Sequence, residues 1–169
     1  RSAADELTGP NPRRRGGRQL MIRDLTPLDV DQLIELGHIM SAETGFAGFR
    51  MHEPRARFIL SEIVSADTVF AKGVFQGSKL VSVFIGEAAD HPFMDVRFAS
   101  DLFIYSHPDH RGGISMARLS KLFSSWAKDQ GADYCKLEIS ARIDNDRAAK
   151  FFQRSGYADV GSLLMKEVA

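Results

Sequence analysis

Three apolar runs with short breaks between them constrain this chain most. "DTVFAKGVF" and "LVSVFIGE" flank the turn "QGSK", and "MDVRFASDLFIYS" follows. Runs of β-branched and aromatic residues bounded by turn signals predict three consecutive antiparallel strands. Helical signals lie on both sides. "LMIRDL" reads as a first strand, after which Thr26 caps a helix that has Pro27 at its first position; Val30, Leu33, Ile34 and Leu36 carry it to about Met40. "SAETGFAGFRMH" is a Gly-rich loop, and "EPRARFILSEIVS" is a second helix. Further on, Leu119, Leu122, Phe123 and Trp126 form a helical stripe and "GADYCKLEIS" a strand. "DNDRAAKFFQRSG" is a helix ended by Gly156, with Asn145 where an N-cap is wanted and Asp144 next to it, and "YADVGSLLMKEV" is a final strand or hairpin. This order predicts an α/β (α+β) fold, a mixed central sheet flanked by helices.

At 169 residues, 44% of them hydrophobic, the chain is long enough for one core, expected over residues 21–169. Residues 1–20 hold five arginines against Asp5 and Glu6, and "GPNPRRRGGRQ" has hardly an apolar residue. They read as a basic flexible arm, a cloning remnant, or a clamp for RNA or another acidic partner. Residues 21–169 carry seventeen basic and twenty acidic side chains, a balance that excludes a general nucleic-acid binder. A single cysteine, Cys135, excludes an intrachain disulfide and suits a reducing compartment, so a cytoplasmic location is expected. No apolar run approaches the roughly 20 residues of a membrane helix, and no membrane partner is expected.

The segment "PDHRGGISMARL", residues 108–119, joins the third strand run to a helix. The first N–H groups of a helix have no intrahelical partner and the helix dipole is positive there, so an anion is favoured. Gly112 and Gly113 let it approach the backbone, Arg111 supplies a guanidinium for phosphate, and Ile114 and Ser115 open the helix. A plain strand-to-helix turn is the competing reading. The segment has no Gly-Lys-Ser/Thr ending and no Gly-x-Gly-x-x-Gly, which argues against a nucleoside triphosphate or dinucleotide loop. His107 and His110 lack partners at ligand spacing, and no metal is expected.

The strand leading into "HPDHRGG", the strand "GADYCKLEIS" and the segment "NDRAAKFFQRSGY" together resemble the GNAT superfamily of acetyl-CoA-dependent N-acetyltransferases. That family's distal segment runs Asn-x-x-Ala-x-x-aromatic-aromatic-x-x-x-Gly-aromatic, matched by Asn145, Ala148, Phe151, Phe152, Gly156 and Tyr157. The resemblance spans roughly residues 21–168, and the shortened loop is similar to compact phage-type members. It implies a sheet splayed near residues 102–106 and 135–140, with acetyl-CoA as co-substrate. The cofactor would lie against Ile104, Arg111, Gly112, Gly113, Ile114, Ser115, Asn145 and Phe152.

The same resemblance implies direct transfer of acetyl to a primary amine, either a small amine or a protein lysine or N-terminus. Asp101 would take the amine proton, with Glu43, Glu53, Glu87 and Glu138 as rival carboxylates. Tyr105 and Ser106 are candidate proton donors, and Phe46 and Phe49 would line the acceptor side. Two departures stand out. The usual Arg-Gly-x-Gly-x-Gly/Ala loop fits Arg111 to Ser115 only with one residue deleted, and a tyrosine often used to protonate the leaving thiolate falls at Phe152. They keep a catalytically inactive binding protein of the same fold in view. An aminoacyl-tRNA N-acetyltransferase using the "RRRGGR" arm is a further alternative, and a homodimer is compatible with the sequence.

Overall fold

A computed structural model describes residues 20–45, 47–139, 143–161 and 164–166. The basic arm before residue 20 and Phe46 therefore lie outside the described residues. Five strands, β1 (Leu20–Asp24), β2 (Val69–Gln76), β3 (Lys79–Asp90), β4 (Arg97–Ser106) and β5 (Tyr134–Lys136), form one sheet in chain order. The first four pair antiparallel and β5 runs parallel to β4, so the sheet is mixed. Helices α1 (Val30–Glu43), α2 (Glu53–Ser65), α3 (Ser115–Asp129) and α4 (Asn145–Gln153) flank it.

The three apolar runs become β2, β3 and β4, with Gly77 at φ +64° turning the first hairpin, a conformation open to glycine. Alternation along these strands divides the core between two faces. Leu33 and Leu36 of α1 pack with Phe75, Val83, Ile85 and Tyr105 on one face, joined by Leu60 and Ile63 of α2. On the other, α3 buries Leu119, Phe123 and Ala127, spaced one turn apart, against Phe70, Val74 and Phe84. The rings of Phe84 and Phe123 lie 4.4 Å apart, and each such fully buried side chain stabilises the fold by roughly 1.5–3 kcal/mol. Leu122, expected in that stripe, is 40% exposed.

Three expectations are corrected. The first helix begins as a short 3-10 turn at Pro27–Asp29, and α1 runs past Met40 to Glu43. Asp144, not Asn145, caps α4: its backbone takes φ 44°, which the short polar side chain of Asp tolerates, and its carboxylate accepts from Arg147 N. The segment after Gly156 forms no strand among its described residues, and Val160 and Leu164 stand exposed.

Candidate active site

The sheet opens between β4 and β5. Their ladder pairs Phe98, Ala99 and Ser100 with Tyr134, Cys135 and Lys136 and then stops. Immediately beyond, Ile85 pairs with Phe103 but Gly86 with Asp101, so Leu102 is an extra residue in β4. Such a bulge bends its strand and increases the local twist, which turns the end of β4 away from β5. The backbone groups of residues 103–106 on that side therefore have no strand partner in β5. Sequence resemblance implied a splay in this region, and the bulge is its cause.

Asp101 sits at the point of divergence. It is paired with Gly86, whose missing Cβ would meet Phe123, so Asp101 lies on the α3 face. Its Oδ1 accepts the N–H of Glu138 at 2.9 Å, a side-chain bridge where the backbone ladder has ended. Burial raises its pKa, and the bond from Glu138 N offsets only part of that rise. The carboxylate is thus a better proton acceptor than an exposed aspartate.

The loop from β4 to α3 contains a short 3-10 turn at Pro108–His110, then Arg111, Gly112 and Gly113. Gly112 has φ +81°, and a Cβ there would approach Arg147 Nη2 to 2.9 Å; a Cβ on Gly113 would meet nothing within 4 Å. Helix α3 starts behind them with Ile114 as its N-cap, a residue with no side-chain acceptor for the first N–H groups. Ile114 is exposed and Ser115 buried. A fifteen-residue helix thus presents an uncapped N-terminus behind two glycines, a geometry suited to a phosphate group.

Arg111 does not extend toward that helix start. Its Nε donates to the Ser106 carbonyl at 3.1 Å, its Nη1 to Glu43 Oε2 at 3.2 Å, and its Nη2 to Glu43 Oε1. Tyr105 Oη donates to the same Oε1, and the Arg111 guanidinium carbon lies 5.4 Å from the centre of the Tyr105 ring. Burial alone would raise the pKa of Glu43, but the bonds from Arg111 and Tyr105 and the charge of Arg111 outweigh it and hold the carboxyl below its usual range. Burial and the neighbouring Glu43 push the Tyr105 phenol up, which makes it a weaker acid than a free tyrosine. Ser106 Oγ accepts from Ser82 Oγ at 2.8 Å.

The remaining candidates are dispersed. Ile104 packs on the α3 face. Phe152 is buried, edge-on to Tyr157 with ring centres 5.7 Å apart, and Asn145 is exposed in the first turn of α4. Phe49 lines a groove of about 740 Å³ between α1 and the segment leading into α2, beside His38, Arg50, His52 and Glu53; His38 Nε2 lies 2.9 Å from Glu53 Oε1. Among the described residues no group of His, Cys, Asp or Glu is arranged to hold a metal ion, and no helix is long and apolar enough to cross a membrane. Sequence reasoning missed two features of the loop: the link from Arg111 to Glu43, and Arg147 over Gly112. The second had a weak signal, since Arg147 lies within the distal "NDRAAKFF" segment. The first had none.

No protein-family model and no curated protein matches the sequence. Solved structures do match. A GCN5-related N-acetyltransferase from Ralstonia eutropha superimposes with a TM-score of 0.70 at 15% identity, over 88% of this chain and 99% of that one. A ribosomal-protein-alanine N-acetyltransferase from Brucella melitensis biovar Abortus gives 0.63 at 20% identity, over 89% of this chain and 100% of its own. A predicted acetyltransferase with acetyl-CoA, from Clostridium acetobutylicum, gives 0.68 at 12% identity, over 88% and 96%.

Proposed function

We propose, for a chain that has the fold of the GCN5-related N-acetyltransferases, that it moves an acetyl group from acetyl-CoA to a primary amine by direct attack. One observation carries the reading: a sheet split by a bulge in β4 leads straight into an uncapped helix N-terminus behind Gly112 and Gly113. A long, thin ligand with a diphosphate fits that combination. The free backbone groups of residues 103–106 would receive an amide-bearing arm, and the first turn of α3 its phosphates. Ile104, Ser115 and the glycines fall along this path, with Asn145 and Phe152 proposed to complete it from α4.

Bound acetyl-CoA would supply the thioester carbonyl that the amine attacks and the thiolate that leaves. The protein's part is to hold the two together, to present N–H groups to the developing oxyanion and to remove a proton from the amine. Asp101, with its raised pKa at the mouth of the split, is the proposed acceptor of that proton, directly or through a water. Phe152 has no proton to return to sulfur. Ser106, which accepts from Ser82 and keeps its own O–H to give, is the proposed donor to sulfur, because the Tyr105 hydroxyl is engaged by Glu43. The groove at Phe49 is proposed as the acceptor side.

The test is calorimetric titration with CoA, followed by mass spectrometry of a panel of small amines, peptides and aminoacyl-tRNA offered with acetyl-CoA. CoA binding and a 42 Da gain on one acceptor class are expected. Absence of CoA binding by the folded protein would overturn the reading.

A further inference from the structure

Arg111 and Glu43 are far apart in the chain, and their contact spans the molecule's two functional sides. Glu43 is the last residue of α1, where the acceptor-side loop begins. Arg111 is the first residue before the glycines of the proposed phosphate loop. Three of the guanidinium's five N–H groups are used, with Nη1 and Nη2 on the two carboxylate oxygens and Nε on the Ser106 carbonyl. A planar fork that grips one carboxylate in this way has its charge paired and its paired N–H edge occupied, and offers a second anion no two-pronged grip. In this conformation Arg111 serves Glu43 and not the helix start.

The pair is also built to come apart. The Arg111 and Glu43 side chains retain 30% and 27% of their exposure, so water and ions reach both, and a pair so placed contributes little to folding. Tyr105, by contrast, is buried and stays on Glu43. If Arg111 leaves, the carboxylate remains charged and oriented, with its counter-charge gone. An amine acceptor arrives at neutral pH as an ammonium ion, the complement of such a group.

Resting on the acetyl-CoA reading above, we infer that Glu43 is the carboxylate that receives the ammonium group of a cationic acceptor, and that Arg111 masks it until the cofactor's diphosphate draws the guanidinium away. Arg111 can neutralise Glu43 or the diphosphate, not both at once. Two consequences follow: cofactor binds before acceptor, and each raises the affinity for the other by the same factor. The preferred substrates are amines with positive charge, such as polyamines or basic peptides. Glu43 binds and orients an ammonium group other than the reacting amine, because a nitrogen held protonated by a carboxylate cannot attack, and proton removal from the reacting amine stays with Asp101.

The experiment is calorimetry with CoA and spermidine on the wild-type protein, Glu43→Gln and Arg111→Ala. Removing the mask's partner should tighten CoA binding by Glu43→Gln about threefold to fivefold, the range set by a partly exposed ion pair. Wild-type protein should bind spermidine more tightly when CoA is saturating, and Glu43→Gln should lose that gain. Arg111→Ala should bind spermidine without CoA as well as the wild type does with it, an outcome that does not depend on how Glu43→Gln folds. Unchanged or weaker CoA binding by folded Glu43→Gln, or spermidine affinity indifferent to CoA, overturns the inference while leaving the acetyl-CoA reading intact. A wild-type protein that binds no CoA removes both.

Discussion

Replacing Asp29 should unfasten the start of the molecule from its core. This carboxylate is 3% exposed and accepts four hydrogen bonds: from Arg23 Nη1 at 2.8 Å, Arg23 Nη2 at 2.7 Å, and Thr26 N and Oγ1 at 2.9 Å each. It thereby ties β1 to the entry of α1, and the Arg23 guanidinium carbon also lies 3.7 Å from the centre of the Phe75 ring. Losing the two Thr26 bonds costs about 1 kcal/mol each. The Arg23 pair adds about 1 kcal/mol, a value reduced for solvent screening because that side chain is 38% exposed. Asp29→Ala should therefore destabilise the fold by about 3 kcal/mol, and Asp29→Asn, which keeps one acceptor oxygen, by about half of that.

The pH dependence has a defined sign. The bonds from Arg23, opposed by burial and aided by those from Thr26, depress the carboxyl's pKa in the folded state. Its stabilisation is thus fully present above the unfolded value of about 3.9 and is lost as pH falls through the lower folded value. Urea unfolding followed by circular dichroism, from pH 7 down to pH 2, would measure the gap between wild type and variant. The gap should be widest at pH 7 and close under acid. A difference below about 0.5 kcal/mol at pH 7, or one that acid leaves unchanged, would refute the assignment of these bonds as the source of stability.

Two further outcomes are expected. Asp101→Asn should lower turnover about 10²- to 10⁴-fold with CoA affinity nearly unchanged, and higher pH should partly rescue it by supplying neutral amine; steady-state kinetics with an identified acceptor decide this. Gly86→Ala places a methyl 2.6 Å from Phe123 Cε2 and 2.7 Å from the Ser100 carbonyl, so it should destabilise the protein by about 1–3 kcal/mol in urea unfolding.

Local chemistry was enough for most of the elements. "EPRARFILSEIVS" became α2 with the expected ends because Pro54 suits a first helical turn and the apolar spacing suits one face. The three apolar runs became β2, β3 and β4 because alternation and a glycine turn specify a hairpin without help from afar. Signals weakened where two chemically similar neighbours compete, as Asp144 and Asn145 do for the cap of α4. They failed after Gly156, where the described residues form no strand. The loop that begins at Arg111 was legible as a place for an anion, since glycines before a helix carry that meaning locally. What Arg111 and Asp101 actually touch was not legible. Glu43 reaches Arg111 only because α1 and β4 pack on one face of the sheet, and Glu138 reaches Asp101 only because a one-residue bulge at Leu102 ends the ladder beside it. Such contacts depend on how separately formed elements are stacked and bent, and residue spacing along the chain holds no record of that.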